Sequence, residues 1–161
     1  MTDLHYIQHA ELTQRYKSGL NWFYWIAGLT IITSVISLAG GGWGFLISLG
    51  STQIIDGFAK GLSEGFGEST KIIAFVLDLI VSGAFVGFGL LAAKKQLWAY
   101  VVGMVVFLLD GLVSLAFQDL LGAIAHAVVL FFLFRGYQAG RELVSLESRM
   151  AAAPPQPEAA V

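Results

Sequence analysis

The chain has 161 residues, 57% of them hydrophobic and only 12% charged, with a mean hydropathy of +0.75 and a formal charge of −2. That length fits one domain, and that apolarity exceeds what an ordinary soluble domain carries. The near-neutral charge offers no basic surface for nucleic acid, and the lack of cysteine excludes disulfides, thiolate metal sites and cysteine nucleophiles.

Residues 1–19 are expected to form a polar, amphipathic helical segment. Within it His5 and His9 stand four residues apart and share a helix face, a spacing that suits a metal ion if Asp3 or another chain completes the set. The plainer alternative is two solvated histidines on an exposed helix. Beyond this segment the chain turns apolar.

A membrane-spanning helix needs about 20 predominantly apolar residues, because each adds 1.5 Å towards about 30 Å of hydrocarbon. Four stretches qualify: about 20–40, 71–93, 97–117 and 120–137. The first is too long for a signal-peptide core, and Thr30, Thr33, Ser34 and Ser37 interrupt it, so it is expected to be retained.

Residues 41–70 form an excursion between the first two spans. Gly40 to Gly42 and Gly44 break the first helix. Farther on, Ile54, Phe58, Leu62 and Phe66 recur every four residues beside a charged stripe of Asp56, Lys60 and Glu64, the period of an amphipathic helix. Gly57, Gly61 and Gly65 make a third stripe. Three glycines weaken a helix by about 1 kcal/mol each unless something packs closely on them. The segment is therefore expected to lie on the membrane interface or to dip into it, the alternative being a flexible loop.

The second span contains Gly83 and Gly87, a small-xxx-small pattern that lets two membrane helices approach closely, and Gly136 with Gly140 repeats it in the fourth. Residues 138–150 read as a helical extension, and 151–161 as a low-complexity, disordered tail. The fold expected is an all-α integral membrane protein: a four-transmembrane-helix bundle with a Gly-rich amphipathic or re-entrant outer-face segment.

Orientation follows from the basic residues. Arg15, Lys17, Lys94, Lys95, Arg135, Arg141 and Arg149 fall on one side of a four-span arrangement, with Lys60 and Lys71 on the other. Seven of nine on one side places both termini in the cytoplasm of a bacterial-type plasma membrane. Trp22, Trp25, Trp98, Tyr100 and Tyr137 are expected to form the cytoplasmic aromatic belt.

Asp78, Asp110 and His126 each sit inside a different apolar run. An ionisable group in hydrocarbon costs roughly 3 kcal/mol or more, so each needs a partner or a purpose. Counting from the outer ends puts all three about 10 Å deep, in one layer with hydroxyls from the first span. Asp78 with Ser82 and Asp110 with Ser114 are i,i+4 pairs, Ser34 is a candidate from the first span, and Gly122 lies one turn from His126, making room for a neighbouring helix. The segments 75–85 and 107–117 also share Phe, Leu, Asp, Val, Ser, Ala and Phe in order, which hints at an inverted repeat.

Three functions remain open on these residues. The first is a non-enzymatic accessory or scaffolding subunit whose polar network holds the bundle together. The second is a proton- or cation-handling unit using Asp78, Asp110 and His126, and the third a metal-dependent intramembrane enzyme using the same set. One deep imidazole is few for a zinc hydrolase, and P-loop, dinucleotide and nucleophile-elbow motifs are missing from the sequence. No cofactor is evident. The partners expected are the lipid bilayer and other membrane subunits or a second copy, not nucleic acid.

Overall fold

The structure, a computed structural model, describes residues 2–39, 69–116 and 118–152. Among them are four helices and no strand: α1 (Thr2–Leu38), α2 (Ser69–Ala93), α3 (Leu97–Ala116) and α4 (Leu120–Ala152). All four are long and apolar enough to cross a membrane. The outer excursion, with Gly57, Gly61 and Gly65, lies outside the described residues, as does the tail beyond Ala152.

The helix starts and stops follow from local chemistry. At the end of α2 the Lys95 N–H donates to the Ala92 carbonyl at 2.7 Å, and the Gln96 N–H to that of Leu91 at 3.2 Å. After α3 the same pair of bonds recurs, Gln118 to Leu115 and Asp119 to Ser114, each at 3.0 Å. This double closure requires one residue with positive φ, and Lys95 (61°) and Gln118 (60°) take it without being glycine. Asp119 then caps α4, its Oδ1 accepting the Gly122 N–H at 2.9 Å.

α1 and α4 overrun any hydrocarbon layer. At 1.5 Å per residue, 37 residues span about 55 Å and 33 span about 50 Å. The polar N-terminal segment is continuous with the first span, and residues 138–152 continue the fourth. These overhangs meet: Glu147 of α4 receives Lys95 Nζ at 2.6 Å and sits 3.0 Å from His9 Nε2 of α1. The hydrogen bond from Lys95, with His9 adding to it, holds the Glu147 carboxyl below the usual carboxylate range.

The helices form a ring in which α1 packs on α2, α2 on α3, α3 on α4 and α4 back on α1. The interior falls into two regions along the axis. Towards the overhangs Leu12, Tyr16, Leu20, Phe23, Ala92, Ala99, Tyr100, Ala139 and Leu143 are buried. Here α1 and α4 touch backbone to backbone: a Cβ on Gly19 would stand 2.5 Å from the Gly136 Cα. Gly140 gives way to the Tyr16 ring, whose hydroxyl donates to the Ala92 carbonyl.

Tyr100 corrects the aromatic-belt expectation. It is 0% exposed and wedged against Gly19 and Gly136, with the Phe23 ring edge-on at 5.0 Å. Trp25 and Trp98 do face outward.

Towards the other end the interior is polar, and the outside is apolar. Ile72, Ile80, Leu109, Leu121 and Ile124 are 57 to 62% exposed. An apolar surface this extensive needs lipid or protein against it. Gly83 and Gly87 belong to that surface, since a Cβ on either would meet nothing within 4 Å. The second small-xxx-small pair therefore closes the bundle at Gly136 and Gly140, while the first looks outward from the described residues.

Candidate functional site

Asp78, Asp110 and His126 are all buried, as are Ser34, Ser82 and Ser114. All but Ser114 divide into two groups, each tying two adjacent helices. Ser34 Oγ of α1 lies 2.6 Å from Asp78 Oδ2 of α2 and 2.9 Å from the Thr30 carbonyl. One hydroxyl proton serves one acceptor, so both contacts are hydrogen bonds only when the carboxyl itself carries a proton. One turn along, Ser82 Oγ donates to the Ala27 carbonyl at 2.9 Å, a second tie between α1 and α2.

The other group joins α3 to α4. His126 Nε2 is 2.8 Å from Asp110 Oδ2, and Nδ1 is 2.7 Å from the Gly122 carbonyl. A carbonyl only accepts, so Nδ1 carries hydrogen and one further proton lies between Nε2 and the carboxylate. On the nitrogen it makes an ion pair, and on the oxygen two neutral groups. Either way the pair has no net charge, which lowers the cost of burying it.

The surroundings are shaped to this imidazole. The Phe107 ring stacks on it with centres 4.6 Å apart at 24°. Gly111 leaves it space, since a Cβ there would lie 2.9 Å from the His126 Cβ. This corrects the part given to Gly122, which makes room for its own cap: a Cβ on it would run into the Asp119 carboxylate.

The single layer expected from counting resolves into two tiers. Phe85 of α2 and Phe107 of α3 meet edge to face at 6.0 Å, so those positions are level. Three residues from each, about 4.5 Å along the axis, are Ser82 and Asp110; seven residues, about 10.5 Å, reach Asp78 and Ser114. One tier therefore holds Ser82, Asp110 and His126. The other, about 6 Å outward, holds Asp78, Ser34 and Ser114. The Ser114 hydroxyl is fully buried and has no hydrogen-bond partner among the described residues.

The tiers also bear on the internal similarity. The two Asp-xxx-Ser segments oppose each other in reverse, aspartate level with serine. The helix answering Asp78 precedes it in the chain, whereas the one answering Asp110 follows it. A tandem duplication would have kept that order the same, so the likeness does not extend to the architecture.

No family model, curated protein or solved structure matches this chain. Its chemistry must be read from its own residues. Among the described residues, no three His, Cys, Asp or Glu side chains are grouped to hold a metal ion. Asp78 does not join Asp110 and His126 in such a set. His9 instead pairs with Glu147, and His5 is exposed.

Phe107 and Gly111 escaped the sequence reading as site residues, although they stand four residues apart on one helix face. Thr30 escaped as a participant too. Its side chain is 1% exposed and bonds back to the Ile26 carbonyl at 2.8 Å, while its own carbonyl accepts from both Thr33 and Ser34 at 2.9 Å.

Proposed function

We propose that this chain is a small, non-enzymatic integral membrane protein, an accessory or scaffolding subunit of a membrane assembly, with both termini in the cytoplasm. One observation carries the reading: among the described residues both buried acids are answered from an adjacent helix of the same chain, Asp78 by Ser34 and Asp110 by His126. Such bonds serve to hold helices together where lipid supplies no hydrophobic drive between them. The apolar exterior, with Gly83 and Gly87 open to approach, supplies the surface on which another membrane helix, from a partner or a second copy, would pack.

The test is flux. Reconstituted in proteoliposomes, Asp78→Asn with Asp110→Asn is expected to leave proton and cation permeability unchanged while lowering the stability of the bundle. A pH-driven flux in the wild type that the double variant loses would overturn the proposal. It would favour the second reading, proton handling, for which the proton lying between Asp110 and His126 and the unsatisfied Ser114 hydroxyl one turn away are the supporting observations. Failure to recover any membrane partner or self-association by crosslinking in native membranes would also count against the scaffold.

A further inference from the structure

Outside the polar tiers, a cleft of about 440 Å³ opens between the overhanging parts of α1 and α4. Its floor is the Gly19–Gly136 crossing, and its walls change character along their length. On the apolar side stands Phe132, stacked on Trp22 with ring centres 5.4 Å apart. Next come Arg135 on α4, its guanidinium 5.7 Å from the Phe131 ring centre, and Ser18 and Arg15 on α1. Farthest out are Glu11 and Glu142. Because the two helices run antiparallel, both walls pass from basic to acidic in the same direction, and α4 adds the apolar Phe132 at the inner end.

On α4 that order extends over ten residues, about 15 Å from Phe132 to Glu142. It matches a phospholipid that carries a primary amine, read from acyl chain to phosphate to ammonium. Guanidinium groups recognise phosphate through forked N–H donors. A carboxylate pair beyond them recognises an ammonium, which has three donors to give. An anionic glycerol headgroup would set no positive charge against Glu11 and Glu142, and a choline has no N–H to donate to them. Arg15 leans towards Glu11 at 3.9 Å, a loose pair that a bound zwitterion can bridge.

We propose that this cleft binds the headgroup of an aminophospholipid, with phosphate at Arg135, Arg15 and Ser18 and the ammonium at Glu11 and Glu142. The assignment rests on the chain residing in a membrane, with this end of the bundle at the lipid–water boundary.

The experiment equilibrates the full-length protein with mixed micelles containing equal phosphatidylethanolamine, phosphatidylglycerol and phosphatidylcholine, then counts retained lipids by native mass spectrometry. Phosphatidylethanolamine is expected to be retained roughly fivefold over the other two, as two added solvent-exposed ion pairs would give. Glu11→Gln with Glu142→Gln is expected to bring it level with phosphatidylcholine. Arg15→Gln with Arg135→Gln is expected to lower retention of all three. Equal retention of the three lipids by the wild type, a preference for phosphatidylglycerol, or a glutamate variant that keeps the preference would each overturn the proposal. Displacement by equimolar soluble phosphoethanolamine would overturn the lipid as the source of the headgroup. Alkaline extraction separates the premises: release from membranes removes the membrane reading, whereas retention without lipid preference removes only the cleft assignment. The wild-type preference decides even if a variant fails to fold.

Discussion

At one end of the bundle Gly19 and Gly136 bring two backbones together beneath Tyr100, while at the other Asp78, Asp110 and His126 reach across to neighbouring helices. The first region relies on close approach. With no side chain between α1 and α4, dispersion contacts are short and numerous, and among the described residues every buried side-chain polar atom there except those of Tyr100 and Thr13 has a partner. The second region relies on direction, since each acid has a partner in one particular helix. In a bilayer, where lipid is as apolar as leucine, burying hydrocarbon would add little at the polar end, and hydrogen bonding would take over from it. The difference teaches that a short helical bundle can be registered twice, by shape at one level and by polarity at another.

Removing one member of the polar pair should have the largest effect. His126→Ala leaves Asp110 buried without its imidazole, and is expected to destabilise the bundle by about 3 kcal/mol or more, measured by unfolding in detergent. At the packed end, Gly136→Ala puts a methyl 2.7 Å from the Gly19 Cα, where backbone cannot yield. A loss of about 1–3 kcal/mol is expected, against little change for Gly83→Ala in the same assay. An equal loss from both would remove the distinction between closed and open glycines.

Tyr100→Phe should go the other way. Its hydroxyl is buried and unpartnered among the described residues, so deleting it is expected to be neutral or stabilising by up to about 1 kcal/mol. A clear destabilisation would reveal a hydrogen bond at the packed end and blur the contrast between the two regions.

The smallest effect belongs to the overhangs. Because the Glu147 carboxyl is held below its ordinary range by Lys95 and His9, its contribution is complete at neutral pH and is lost as the pH falls through and below that range. Proteolysis within residues 9–17 should be faster in Glu147→Gln than in the wild type at pH 7, and the two should converge in acid. The same difference should shrink in high salt, since the pair is partly exposed.

Much of this architecture was legible in the sequence because apolar length is additive along the chain. The ends of α3, and of α2 at Ala93, fall within two residues of those expected, and Asp78, Asp110 and His126 are buried as their depth implied. What the sequence could not show is rotation. The answers of Ser34 to Asp78, and of His126 to Asp110, depend on helix faces that composition leaves undetermined. The expected single layer became two tiers for the same reason. Gly19 and Tyr100 were missed because a lone glycine has no partner pattern in its own helix, and a tyrosine near a span end resembles a belt residue until a crossing encloses it.

The central claim is that the buried polar groups are ties between helices. A double-mutant cycle on Asp110→Ala and His126→Ala, read as unfolding free energy in bicelles, tests it most directly. The account predicts a coupling of about 1–3 kcal/mol, with the double variant less destabilised than the sum of the singles. A coupling near zero would contradict it, because the two side chains would then be buried for some purpose other than each other.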